Sequence, residues 1–174
     1  MRRFFALFSV AVLALSAPAS AQRPSASSVN LSPELGMDAG VTFGLGSNSL
    51  TVVSIPIQQL RMGFFVSPAL SVEPTLALIS VSGGGSTLTT YDVGVGLLYH
   101  FSPNRAANQF YVRPFANVEG TSGAGSSSNT IVGIGGGLKV PLANRIASRF
   151  EANIAHSNGN NAIGLLAGLS FYTR

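Results

Sequence analysis

The feature that most constrains this chain is a two-residue alternation of apolar and small side chains, repeated in segments of about ten residues. Over 91–101, every odd position is aliphatic or aromatic, whereas the even positions carry Asp, Gly, Gly, Leu and His. Because successive side chains of a strand point to opposite faces, this period predicts β-strands with one apolar face. Eight such segments follow one another: Leu35–Leu45, Leu50–Val66, Leu70–Val81, Thr89–Phe101, Phe110–Gly120, Thr130–Leu142, Ile146–His156 and Ala162–Tyr172.

The connections between these segments alternate between two kinds. One set is tight and contains Pro or Asn, as in Ser67-Pro68, and the other is rich in Gly and Ser, as in 121–129. Both compositions are typical of turns, so an antiparallel up-and-down meander would place one set on each rim. Pro56 lies inside the second segment, and proline cannot donate to a ladder. We therefore expect a bulge or a rim extension there, with 57–66 as the embedded part.

The composition of the non-apolar strand face distinguishes a soluble barrel from a membrane barrel. Only 9% of the residues are charged, against roughly a quarter in an ordinary soluble domain, and glycine occurs 20 times. A soluble outer face is rich in Lys and Glu, whereas here the non-apolar face is mainly Gly, Ser, Thr and Ala. Small side chains suit the cramped interior of an eight-stranded barrel. The sequence predicts an all-β, eight-stranded antiparallel up-and-down transmembrane β-barrel; a soluble barrel or sandwich is the alternative.

The N-terminus has the layout of a secretory signal peptide. Two arginines at 2–3 precede an apolar run over 4–15, and a small-residue Ala-Ser-Ala sequence at 19–21 provides a cleavage site. The apolar run is too short for a spanning helix, although an uncleaved anchor is the alternative. The predicted organisation is a signal peptide over 1–21, a short polar periplasmic lead-in over 22–34, and an outer-membrane barrel domain over 35–174.

Composition excludes several other classes of protein. The chain has no cysteine and only two histidines, His100 and His156, so we expect neither a disulfide scaffold nor a metal centre or cofactor. No run of basic residues occurs, which argues against nucleic-acid binding.

Most charged residues of the strands fall on the small-residue face, which would line the lumen. Their near balance predicts structural ion pairs, because an unpaired charge in a closed interior costs several kcal/mol; an ion or proton pathway is the alternative. Arg61 and Glu73 flank the Ser67-Pro68 turn symmetrically, so we expect them to lie opposite each other, or nearly so, as an interior ion pair. The predicted lumen charge network comprises Asp38, Arg61, Glu73, Asp92, Arg113, Glu119, Lys139, Arg149 and Glu151.

Aromatic residues gather near the tight turns, which predicts a girdle at the membrane interface. Within this pattern the chain resembles the small eight-stranded outer-membrane barrels of the OmpA/OmpX type over about residues 35–174. The segments that carry the resemblance are GLLYHFSP (96–103), YVRPF (111–115), GGGLKVPL (135–142) and the ending GLLAGLSFYTR (164–174).

This resemblance implies a Gram-negative outer membrane, periplasmic termini and surface loops. The expected partners are outer-membrane lipid, lipopolysaccharide and, during insertion, the barrel-assembly machinery, which usually reads a terminal aromatic residue in this family. Here Phe171-Tyr172 is followed by Thr173-Arg174, a departure from that signal. We expect a monomer with a non-enzymatic structural or surface-interaction role.

A catalytic alternative rests on His156 and Ser157. The stretch His156-Ser157-Asn158 is similar to the His-x-Ser-Asn sequence of lipid A deacylase barrels, in which His and Ser share one face. Here the two are adjacent, so strand geometry places them on opposite faces, and no acid follows Glu151 to orient the histidine. A lipid-modifying hydrolase and a narrow pore are the alternatives to the non-enzymatic role.

Overall fold

A computed structural model describes residues 32–45, 51–83, 86–123 and 126–173. They form a closed barrel in which each strand pairs antiparallel with its neighbours in sequence and the last strand pairs with the first. The predicted signal peptide and most of the lead-in lie outside the described residues. The strands are β1 (Glu34–Leu45), β2 (Thr51–Phe65), β3 (Leu70–Gly83), β4 (Ser86–His100), β5 (Gln109–Ser122), β6 (Ser127–Ala143), β7 (Ile146–Ser157) and β8 (Asn160–Tyr172).

This architecture confirms the predicted all-β, eight-stranded up-and-down barrel. The tight connections lie on one rim and the Gly/Ser-rich ones on the other. We call the corresponding parts of the molecule the tight-turn half and the loop half. The β7–β8 connection on the loop side consists of two residues, Asn158 and Gly159, which have φ values of 48° and 77°. Positive φ at both positions is what a type I′ hairpin turn requires, and Asn-Gly favours it.

The irregularity expected around Pro56 is present. Asp38 pairs with Gln59, and the next pair of the β1–β2 ladder joins Gly40 to Ser54, so β1 advances two residues while β2 covers five. Proline has no N–H to contribute to the ladder, and a bulge in its strand absorbs the extra residues.

Polar side chains fill the interior of the barrel and apolar ones cover its outside. Among the described residues, fifteen buried side chains are polar or charged and only four are hydrophobic, namely Leu98, Tyr111, Ala147 and Leu166. Large aliphatic residues lie on the outer surface in every strand, and Leu97 at mid-strand is 44% exposed. A soluble protein has the opposite distribution, whereas an apolar outer band is typical of transmembrane barrels. The described residues include no helix long and apolar enough to cross a membrane.

Lumen-facing glycines make room for this polar interior. A Cβ atom on Gly36 would overlap the guanidinium of Arg61, one on Gly96 would lie 2.9 Å from Cδ of Arg113, and one on Gly135 would lie 2.6 Å from Oε1 of Glu151. The large charged side chains thus pack directly against these glycines, in space that a Cβ atom would otherwise occupy.

Candidate functional site

Arg61 is the centre of a buried ion-pair network in the tight-turn half of the lumen. Its Nε donates to Asp38 Oδ2 at 2.9 Å, and its Nη1 contacts both Glu34 and Glu73, the latter at 3.3 Å to Oε2. Its Nη2 donates to Ser170 Oγ at 2.7 Å. One guanidinium therefore contacts three carboxylates from two strands, β1 and β3, and is itself 1% exposed.

A second cluster continues from Glu73 across the lumen. Arg149 donates to Glu73 Oε2 at 2.8 Å and to Glu151 Oε2 at 2.5 Å, and Arg113 Nη2 donates to Glu151 Oε1 at 2.5 Å. The Tyr111 hydroxyl donates to Glu151 Oε2 at 2.9 Å and accepts from Arg149 Nε at 2.6 Å. Each carboxylate therefore has more than one donor, as a buried charge requires.

A further ion pair connects β6 with β1, because Lys139 Nζ donates to Glu34 Oε2 at 2.5 Å. Together the ion pairs connect side chains from six of the eight strands and join equal numbers of acids and bases, so the formal charge of the group is zero. The members, which we call the charge network, are Glu34, Asp38, Glu73, Glu151, Arg61, Arg113, Lys139 and Arg149.

Arg61 and Glu73 are in contact, but they do not lie directly opposite each other. Arg61 pairs with Thr75 across the β2–β3 ladder, which leaves Glu73 on the diagonal. The turn accounts for this shift, because Val66 N and Ser67 N both donate to Leu70 O, so the connection extends beyond the symmetric position. Since diagonal neighbours are within reach of long side chains, the contact survives the change of register.

Glu34 is the member that sequence analysis missed. It was assigned to the polar lead-in, yet it is the first residue of β1, is 1% exposed and contacts both Arg61 and Lys139. Glu34 precedes Gly36 by two residues and Asp38 by four. This spacing places all three on one strand face and could have identified Glu34 as a lumen residue.

Asp92 and Glu119 are separate from the charge network, although the sequence predicted them as members. They lie directly opposite each other across β4 and β5 in the loop half. Asp92 is half-buried and accepts from Asn117 Nδ2 at 2.7 Å, whereas Glu119 is exposed. Within the described residues neither carboxylate has an ion pair with a base. The prediction that Glu119 is an interior network residue was therefore wrong.

The physical reason is the distribution of bases along the barrel axis. The segments 39–60, 77–104, 114–138 and 150–173, which contain the whole loop half and extend beyond it, have no Lys or Arg. All four lumen-facing bases lie near the tight turns and attract the carboxylates of that level. The two acids of the loop half have no such partner and sit where the lumen meets solvent.

The tight-turn rim is covered by part of the β4–β5 connection. Arg105 lies over the rings of Phe65 and Tyr172, at 4.0 and 4.8 Å from their centroids, and donates to the carbonyl of Ser32. Phe65 also stacks on His100, which is 1% exposed, at 5.4 Å between centroids. These aromatics pack inside the rim, so only part of the predicted girdle faces outward.

The outward part of that girdle includes Tyr99, Phe101 and Phe110, which are 48%, 66% and 61% exposed. Tyr111, by contrast, is buried among the arginines of the lumen. Clustering near one rim therefore reflects two structural roles, one toward lipid and one toward the interior.

The candidate catalytic residues do not form a site. His156 is exposed, and its Nδ1 lies 2.8 Å from Asn161 Oδ1, while Ser157 follows it on the opposite face of β7. Among the described residues, no three His, Cys, Asp or Glu side chains come together in a way that could hold a metal ion.

No protein-family model and no curated protein matches this sequence. Solved structures do match the fold. Neisserial surface protein A superimposes with a TM-score of 0.61 at 12% identity, covering 81% of this chain and 97% of that one. OprG from Pseudomonas aeruginosa gives 0.54 at 10% identity, covering 83% and 97%. Ail of Yersinia pestis gives 0.53 at 11% identity, covering 83% and 100%.

The chain has the fold of the small eight-stranded outer-membrane β-barrels. This fold is of the OmpA/OmpX type that the sequence resembles, and the closed eight-stranded topology agrees with it. At 10–12% identity the likeness concerns the fold and carries no residue of a site from one protein to another.

Proposed function

We propose that this protein is a non-enzymatic integral outer-membrane barrel with a structural or surface-interaction role, and that its lumen is closed to solutes. The observation that carries this proposal is the charge network, which fills the tight-turn half of a barrel whose outer face is apolar. Eight strands leave an interior just wide enough for side chains. Passage of a solute would require Arg61 and Arg149, each contacting at least two carboxylates, to leave their partners.

Lipid contact and orientation belong to the same proposal. Exposed aliphatic residues such as Leu35, Leu76, Ile134 and Leu165 lie around the outer surface and would face the acyl chains of outer-membrane lipid and lipopolysaccharide. The first and last described residues meet at the tight-turn rim, where Thr173 N donates to Pro33 O. We place that rim in the periplasm and the loops outside. The chain would be a monomer, inserted by the barrel-assembly machinery.

The lack of basic residues in the loop half limits the charge of a surface partner that could bind there. One solved neighbour, Ail of Yersinia pestis, has been crystallised with the heparin analogue sucrose octasulfate, at a TM-score of 0.50 and 12% identity to this chain. Here the loop half contains no Lys or Arg, so a polyanion finds no cationic side chain to bind. A partner that is neutral or positively charged fits this surface better.

The membrane assignment can be tested by heat-modifiability. A closed barrel has no free strand edge and all its backbone groups are paired, so it resists mild detergent. We expect the folded protein to fractionate with outer membranes and to migrate differently on a gel before and after boiling. Identical mobility together with recovery in the soluble periplasmic fraction would contradict the proposal.

Two further measurements address the alternatives. His156→Ala should leave the acylation pattern of lipid A unchanged in cells that express the protein, since His156 contacts the Asn161 amide and has no carboxylate partner among the described residues; loss of a modification present with the unaltered chain would favour a hydrolase. Liposomes containing the protein should not swell in an isotonic sugar solution, and swelling would favour a pore.

A further inference from the structure

Two like charges face each other in the loop half of the lumen. Asp92 and Glu119 are direct partners across β4 and β5, and like charges in that position destabilise a sheet. The segments that make up this half contain no Lys or Arg that could compensate them. The arrangement would be stabilised by a positive charge from outside the chain.

Two unpartnered oxygen atoms lie against Gly94, two residues along β4 from Asp92. On the lumen side of Gly94, the Cβ position lies 2.8 Å from Thr75 Oγ1 and closer still to Asn117 Oδ1. Both oxygens are buried and have no hydrogen-bond partner among the described residues, and Thr75 as a whole is only 3% exposed. Asn117 donates its Nδ2 to Asp92 Oδ1, and its own Oδ1 lies against Gly94, as the Thr75 hydroxyl does, so the amide connects the Asp92 carboxylate with the unpartnered oxygens.

Buried polar atoms in folded proteins are nearly always paired, and an unpaired one points to water or an ion. Asn117 Oδ1 can only accept, and the hydroxyl of Thr75 can accept as well. A surplus of acceptors favours a cation over an anion.

We propose that Asp92, Glu119, Asn117 and Thr75 form a binding site for a divalent metal cation of the Ca²⁺ class, reached from the loop side. All four offer hard oxygen ligands, namely two carboxylates, an amide carbonyl and a hydroxyl, which are the groups Ca²⁺ prefers. Two carboxylates balance a charge of two, and water would complete the coordination.

The site is a weak one. No third acidic, histidine or cysteine side chain joins it within the described part of the chain, and Glu119 is exposed. Affinity for Ca²⁺ rises with the number of charged ligands and the rigidity of the site, so we expect a dissociation constant in the range of extracellular modules, about 10⁻⁴ to 10⁻³ M.

The test is calcium binding by the full mature barrel, refolded in a zwitterionic detergent free of lipopolysaccharide. Titration with CaCl₂, followed by calorimetry and by the thermal unfolding temperature, is compared with NaCl at equal ionic strength. We expect one saturable site and an increase in unfolding temperature that NaCl does not reproduce. Asp92→Asn and Glu119→Gln should each weaken binding at least tenfold, and Thr75→Val should weaken it severalfold.

Thr130→Val is the matched control, because Thr130 is an exposed threonine of β6 that lies opposite the outward-facing Val118. It should bind calcium as the unaltered chain does. Glu119 is exposed, so Glu119→Gln will fold even if Asp92→Asn does not, and gel mobility before boiling reports folding in each case. Absence of saturable binding, an equal effect of NaCl, or unchanged affinity in Glu119→Gln would overturn the proposal.

Discussion

The two halves of the lumen use the same residue types in opposite ways. In the tight-turn half, four acids and four bases are buried together and each base contacts a carboxylate. In the loop half, Asp92 and Glu119 face each other without a base, and one of them is exposed. Depth thus governs the charge of this lumen: where water is excluded, charges are matched, and where solvent enters, an imbalance is tolerated.

Removing one charge from the charge network has the largest expected effect on stability. Glu73→Gln and Arg61→Gln should each lower the free energy of unfolding in lipid by about 3–5 kcal/mol, because each leaves buried charges without a full set of partners. The double variant should lose less than the sum of the two, since the residues are in contact. Strict additivity in equilibrium unfolding would show that the contact is absent.

A smaller effect is expected on the outer face, where depth also matters. Leu97→Arg at mid-strand should lower the free energy of folding into lipid by about 2–4 kcal/mol, and the same change at Leu45, the last residue of β1, by about 0–1 kcal/mol. Folding yield and unfolding in bilayers of defined thickness would measure both. Equal tolerance at the two positions would mean that the lipid-facing band is misplaced.

Glycines provide a third contrast, between a lumen-facing and an outward-facing position. Gly36→Ala places a methyl group where the Arg61 guanidinium lies and should cost about 1–3 kcal/mol, typical of overpacking. Gly136→Ala is the control, because a Cβ there has only Tyr111 O within 4 Å, at 3.9 Å. Urea unfolding should separate the two variants, and indistinguishable midpoints would remove the glycines from the account of the charge network.

The smallest change is expected from the loop half. In calcium-free buffer, Glu119→Gln should leave stability unchanged or raise it by about 0.2–1 kcal/mol, because it relieves the like-charge pair with Asp92. A destabilisation comparable with that of Glu73→Gln would contradict this difference between the two halves, since Glu119 would then have a buried partner.

The sequence predicts which face a residue occupies far better than how deep it lies. Alternation placed Arg61, Arg149 and Glu151 inside correctly, and the lack of a donor on Pro56 located the irregular part of β2. Depth depends on the stagger between strands, which is set only when the barrel closes. For that reason, alternation alone could not predict that Arg61 pairs with Thr75, two residues beyond Glu73. Nor could it predict that Glu119 is exposed.

The ends of strands and the contacts of connections are also poorly predicted by the sequence. Glu34 follows a Pro in a polar stretch, so its membership of β1 depends on the pairing with Gly63 and Tyr172 rather than on local propensity. Similarly, Arg105 lies in a connection and contacts Phe65 and Tyr172 only because the barrel brings three separate segments to one rim. Long-range contacts of this kind leave no periodic signal in the sequence.

The closed lumen is the central claim, and single-channel recording in a planar bilayer tests it most directly. We predict that the refolded barrel gives no steady conductance, because the charge network fills the tight-turn half of the lumen, with Arg61 and Arg149 each bound to two or more carboxylates. Glu73→Gln should introduce brief openings, because it removes a carboxylate that both Arg61 and Arg149 contact. A steady ohmic conductance of the unaltered protein, present in preparations that show the heat-dependent gel shift, would contradict the account.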